Sequence, residues 1–220
     1  MGDLARVRAA LDRGAAVNYL RREPFDVFSM GGPDFRLGAP GTALAAAAAG
    51  DHVGVVEELL RRGADPNGQV AESASALMVC VKFDARRAAG ALLAGGATVD
   101  ARSEEKQWTS LHHAALHGHA RFAALLLDAG ADVGALTGDG DSPVFIAAKV
   151  VSMQLEPRDS VGAHLGKDPR DPATRAHVET IRLLMARGGA CVFGGKKRGL
   201  GNVRGMGAEG RVQAMMMRMM

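Results

Sequence analysis

Two landmarks recur along this chain with a single period. A Thr or Ser followed by a small, apolar stretch opens at Thr42, Ser75, Thr109 and Ser142, and these openings stand 33, 34 and 33 residues apart. A Gly-Ala pair closes each unit at Gly63, Gly96 and Gly130, again 33 and 34 residues apart. Self-similarity at this spacing is the mark of an array in which each unit buries its apolar face against the next.

The physical unit can be read within one period. The opening Thr or Ser is suited to accept a backbone N–H at a helix N-terminus. A short Ala-rich helix follows, and Gly118, with Asp51 and Asp84 at the same place in other copies, turns the chain. A second helix then carries apolar residues at helical spacing: Val55, Val56, Leu59 and Leu60 in one copy, Phe122, Leu125 and Leu126 in another. The closing glycines fall where a helix end requires a left-handed residue. Between each closing and the next opening lies a mostly polar stretch, which predicts a projecting, hairpin-like finger.

The copy at 109–133, Thr109-Ser-Leu-His-His-Ala-Ala-Leu-His-Gly-His119 through Gly130-Ala-Asp-Val133, resembles the ankyrin repeat, whose opening is Thr-Pro-Leu-His-x-Ala. Ser110 replaces the family's Pro, and Ala45, Met78 and Phe145 stand in the other copies where the family has His. The resemblance implies an all-α solenoid of stacked helix-turn-helix repeats with fingers set at right angles, used to bind proteins. The array spans 1–193, with a half-repeat at 2–18, an insertion at 19–41, repeats from 42, 75, 109 and 142, and a second insertion at 153–176. His177 to Gly188 reads as the second helix of the last repeat, displaced by that insertion. The half-repeat is either a cap, which suits Arg6 where other copies have Val55, Ala88 and Phe122, or the remainder of a fuller repeat.

Charge separates along the chain. The net charge is +3, but residues 194–220 hold six basic residues and one acid, so residues 1–193 are net negative. A pI near 9.1 therefore describes the tail, which is expected to be disordered, basic and Met-rich. A whole-domain nucleic-acid surface is not expected. No run of eighteen apolar residues is present, so neither a membrane span nor a secretory signal is expected, and a cytoplasmic or nuclear, monomeric protein is the default.

Chemistry-bearing residues were weighed against their place in the repeat. His112 and His119 occupy positions where the resembled family carries structural His; only His113 and His117 exceed that pattern, and no metal site is expected. Cys80 aligns with Ala47, Ala114 and Ala147, so a packed, inert thiol is expected, and Cys191 has no sequence partner. Gly138-Asp-Gly-Asp-Ser142 lacks the ligand spacing of a calcium loop and the Lys of a phosphate loop, and reads as a finger turn. No catalytic residue, cofactor or enzymatic activity is expected.

The expected function is non-catalytic binding of another protein, as adaptor or scaffold, on the concave face of fingers and first helices. The alternative is a fragment of a larger ankyrin-containing protein that acts as spacer or regulatory segment. Candidate contact residues on the first helices are Lys82, Phe83, Leu116, His117, Lys149 and Val150. On the fingers they are Glu72, Arg102, Glu105, Trp108, Asp139 and Asp141. Trp108 is either a partly packed finger base or a contact anchor. Phe25, Phe28 and Phe35, in the first insertion, either cover the end of the stack or form a binding protrusion.

Overall fold

A computed structural model describes residues 4–19, 41–68, 74–155 and 172–192. All its regular elements are helices among these residues: α1 Leu4–Asp12, α2 Ala43–Ala49, α3 Val53–Arg61, α4 Ala76–Lys82, α5 Arg86–Ala94, α6 Ser110–His117, α7 Ala120–Asp128, α8 Pro143–Leu155 and α9 Pro172–Ala186. The expected all-α repeat fold is what the chain adopts. Among the described residues no helix is long and apolar enough to cross a membrane. The chain divides into two compact units, Met1–Glu105 and Lys106–Met220.

The first helix of each repeat buries the same four positions, counted two, three, five and six residues after the opening Thr or Ser. They are Leu44, Ala45, Ala47 and Ala48 in α2, and Leu77, Met78, Cys80 and Val81 in α4. In α6 they are Leu111, His112, Ala114 and Ala115, and in α8 Val144, Phe145, Ala147 and Ala148. Small side chains at most of these positions let neighbouring helices approach closely, which is how so aromatic-poor a sequence makes a dense core. The second helices contribute a matching stripe: Val55, Val56 and Leu59 in α3, Ala88, Ala89 and Leu92 in α5, and Phe122, Ala123 and Leu126 in α7.

In unit 1, α2 packs on α3 and α4, α3 on α5, α4 on α5, and α1 on α3. Thr42 Oγ1 accepts from Ala45 N at 3.2 Å and Ser75 Oγ from Met78 N at 3.3 Å, so the expected N-caps form. The turns between paired helices are left-handed, with φ of 51° at Asp51 and 52° at Asp84. An acidic side chain here gains a second role. Asp51 Oδ1 accepts from Ala88 N at 2.8 Å and so caps α5, whose own N-cap Ala85 has no side-chain acceptor. Asparagine amides stitch successive closing turns together: Asn18 bonds Gly63 O and Asp65 N, and Asn67 bonds Gly96 O and Thr98 N. No residue of α1 is buried. Glu58, only 4% exposed, holds α1 to α3 through Arg8 at 3.4 Å, while Arg61 at 2.6 Å and Arg62 at 3.1 Å come from its own helix end. Arg62 in turn reaches Asp12 at 2.6 Å. Hydrogen bonding from Arg61 holds the Glu58 carboxyl down at about 2, against the opposing effect of burial, with Arg62 and Arg8 adding to the lowering.

In unit 2, α6 packs on α7 and α8, α8 on α9, and α7 on α9. Thr109 and His112 form a reciprocal cap in which Thr109 N donates to His112 Nδ1 at 3.1 Å. Gly118 makes the turn after α6 at φ 69°, and a Cβ there would lie 2.9 Å from the His177 ring. That ring comes from α9, its Nε2 2.9 Å from Leu116 O. Glycine at 118 is thus required twice, for its backbone angle and for the room it leaves.

The last repeat closes around Ser142. Its Oγ donates to Ala190 O at 2.7 Å and accepts from Val192 N and Phe145 N, and its own N–H donates to Val192 O. The displaced second helix is therefore α9, as the sequence predicts. Its boundaries differ from the predicted insertion at 153–176: α8 continues to Leu155 and α9 begins at Pro172. Proline at a first helical position needs no N–H partner and has a φ already suited to the helix, so Pro172 opens α9 rather than breaking a loop. The first insertion and the tail beyond Val192 lie outside the described residues apart from Tyr19 and Gly41.

Two stability tests follow from these contacts. Ser110 Oγ is buried without a hydrogen-bond partner, while the copy at 142 carries a buried Pro143 at the same place. Ser110→Pro removes a stranded hydroxyl and restricts the unfolded chain. It is expected to stabilise by about 1 kcal/mol, read as a rise of about 3 °C in the melting temperature; a lower melting temperature would show that the proline ring does not fit. For Glu58 the native value lies below the unfolded one. Its stabilisation is thus complete above the ordinary value of 4.5 and is lost as the pH falls towards about 2. Melting temperature measured across that window should fall less steeply in Glu58→Gln than in the parent.

Candidate interaction surface

Because four fixed positions of each first helix face the core, the residues seven and eight places after each opening are turned outward. Lys82 is exposed and Phe83, at the end of α4, is 45% exposed. In unit 2, Leu116 and Val150 are half-buried, and His117 and Lys149 are exposed. The six helix residues named from the sequence therefore all reach the surface. Lys82 Nζ lies 6.0 Å from the centroid of the Phe83 ring, a cation–π distance that partly covers the aromatic face.

The finger residues divide. Arg102, Glu105 and Asp139 are exposed, and Asp141 is half-buried. The segment 137–141 is a tight finger turn: Thr137 N donates to Asp141 O at 3.0 Å, and Asp141 N returns a bond to Thr137 Oγ1 at 3.1 Å. It is tied to the preceding finger by Gly138 N donating to Lys106 O at 2.9 Å. Glu72, Phe25, Phe28 and Phe35 lie outside the described residues.

Trp108 is half-buried. Its ring is tilted against His113 at 5.2 Å and His112 at 6.2 Å, and Lys106 Nζ stands 6.0 Å from its centroid. Packing on the base of the finger fixes the indole, and part of it still reaches solvent. The Lys106 contact is not legible in the sequence, because Lys106 lies in a turn and Gln107, between it and Trp108, is left-handed at φ 53°.

The histidine string resolves into separate tasks. His112 is fully buried, with Thr109 Oγ1 2.8 Å from Nδ1 and Ala135 O 3.1 Å from Nε2. Since Nδ1 accepts from the Thr109 backbone, Nε2 carries the proton that bonds Ala135 O. His112 thereby fastens a helix start to a finger, the structural part that the repeat position implies. His113 leans on Trp108, and His117 stacks on His119 at 5.6 Å. Among the described residues no group of three or more His, Cys, Asp or Glu side chains could hold a metal ion.

The two thiols are both suppressed. Cys80 is fully buried with its Sγ 4.0 Å from Ala48 O, and burial, reinforced by the Asp51 charge, pushes its thiol up to about 12. Cys191 is half-buried and is pushed up to about 11 by burial and by Asp141. Cys80 is packed, as its small-residue position predicts.

The sequence matches the family described as Ankyrin repeats (3 copies) over residues 43–137 and again over 77–153, which together span half of the chain. No curated protein matches it.

The thiol environments can be checked by labelling. At pH 8 a disulfide reagent is expected to modify no more than one thiol of the native protein, slowly, and Cys191→Ser should abolish that signal. Both thiols should react once the protein is unfolded. Rapid native labelling of Cys80 would contradict the packing of α4.

Proposed function

Because the chain belongs to the ankyrin-repeat family, whose repeats generally mediate protein–protein interaction, we propose that it is a non-catalytic adaptor or scaffold. Its partner docks where the first-helix ends and the fingers come to the surface. The observation that carries this reading is the split between fixed and free positions. The same four places in every first helix are buried, and the two that follow expose different residues from copy to copy: Lys82 and Phe83, Leu116 and His117, Lys149 and Val150. A constant core with a variable rim is how one scaffold serves different partners. Apolar Phe83 with Lys82 in unit 1, and apolar Leu116 and Val150 with Lys149 and Asp139 in unit 2, each match the mixed composition of such interfaces.

Each unit offers one large side chain of the type on which binding energy concentrates, Phe83 in unit 1 and Trp108 in unit 2. For a partner recovered from a lysate of the source cell, Phe83→Ala and Trp108→Ala are each expected to raise Kd about tenfold. Thermal melts of both variants serve as folding controls. An unchanged Kd in both folded variants would move the site off this face. A partner lost when residues 21–39 are deleted, but kept by both variants, would place it on the first insertion.

A further inference from the structure

We propose that the surface formed in unit 2 by Leu116 and His117 at the end of α6 and by Lys149 and Val150 midway along α8 receives an acidic segment of a partner protein, with an apolar side chain beside its carboxylate. The proposal rests on the reading that a partner docks on this face, and adds the chemistry of what docks.

Formal charge is almost absent from the first helices. α2 and α6 contain no Asp, Glu, Lys or Arg, and α4 and α8 each contain one charged residue, Lys82 and Lys149. Both lysines stand seven residues after their opening Ser, both are exposed, and each is followed by an apolar residue, Phe83 or Val150. Lys149 makes no ion pair among the described residues. The carboxylates of unit 2 among the described residues lie elsewhere. Asp128 is held by Arg187 at 2.8 Å, Asp132 bonds Gly134 N at 2.8 Å, and Glu179 is on α9. Asp139 and Asp141 are on the finger that precedes α8, about 10 Å along the helix from Lys149 at 1.5 Å per residue.

α6 and α8 pack side by side, and Leu116 and Val150 are half-buried beside exposed His117 and Lys149. This makes a small apolar centre whose rim, among the described residues, offers a cation and an imidazole and no carboxylate. A segment presenting a carboxylate to Lys149 and an apolar side chain to Leu116 and Val150 complements it, and a basic segment is repelled. A single lysine on two helices is too little charge to hold a nucleic-acid backbone, so the fit is to a protein segment.

The test uses a phage-displayed library of random 12-residue peptides panned on the full chain. Recovered sequences are expected to be enriched in Asp or Glu next to Leu, Ile, Val or Phe. A synthetic peptide of that class should bind Lys149→Glu about tenfold more weakly, and exchanging its Glu for Lys should restore binding to that variant. Neutral or basic recovered sequences, or no recovered sequence from folded protein, would overturn the proposal. So would acidic peptides weakened by Lys82→Glu and not by Lys149→Glu. Acidic peptides weakened by Leu116→Ala but indifferent to Lys149→Glu would overturn the charge complementarity while leaving the docking face intact. Indifference to Leu116→Ala, Trp108→Ala, Phe83→Ala and both lysine reversals would end both readings.

Discussion

Helices α1 to α7 have only seven to nine residues each. Helices of that length barely form in isolation, because the cost of the first turn is spread over too few hydrogen bonds. Their order must come from lateral packing, and the four repeated buried positions supply it. Everything else in the structure depends on keeping those positions in phase. One residue too many between paired helices would rotate the second helix by about 100° and turn its stripe away from the core. This is why the turn residues are so uniform in conformation: Asp51, Asp84 and Gly118 all have positive φ, and the closing glycines 63, 96, 130 and 188 lie between 87° and 90°.

Phase along the array is maintained by polar side chains that reach from one element to another, and the residue doing this changes from place to place. At the third position of the first helix the side chain is buried in all four copies, and Ala45 and Met78 there are apolar side chains that fill space. His112 also bonds the carbonyl of Ala135 and so pins a finger. The copy at 142 lacks that His, and Ser142 does the corresponding work on the 190–192 segment through its hydroxyl and backbone. The asparagine links in unit 1 show the same economy of means. Asn18 and Asn67 each stand four residues after a closing glycine, and each joins its turn to the next. Gly134, at the same place in unit 2, has no side chain to do so. There Val133 instead packs against Gly189, where an added Cβ would come within 2.9 Å of its methyl group.

Periodicity revealed the features that every copy shares: the capping hydroxyls, the left-handed turns, the closing glycines, and the packed place of Cys80. What it could not reveal depends on partners distant in sequence. Glu58 sits in the exposed-looking pair Glu57-Glu58, and only Glu57 is solvent-facing. Burial of Glu58 requires Arg8, fifty residues earlier, in a helix with no buried residue of its own. The predicted insertion at 153–176 overlaps both flanking helices, because a proline such as Pro172 suits a loop and equally a first helical position. For the candidate surface, register alone identified which helix residues point outward, since it follows from which positions do not. The surroundings of Trp108 were not legible, because ring contacts with His113 and Lys106 depend on the path of the finger.

Exposed aromatic rings raise a separate difficulty, since a large apolar side chain in water favours association. Here Phe83 in unit 1 and Trp108 in unit 2 each have a lysine over them, Lys82 at Phe83 and Lys106 at Trp108, each 6.0 Å from the ring centroid. The aliphatic stem shields part of the ring and the ammonium keeps the assembly hydrated. A docking partner must therefore either displace the lysine or offer it a counter-charge while covering the ring. The second course keeps the cation–π contact and removes only water, so it discards less interaction than the first. On the docking reading proposed above, the lysine over Phe83 in unit 1 and the lysine over Trp108 in unit 2 each favour a partner that brings a carboxylate along with apolar surface.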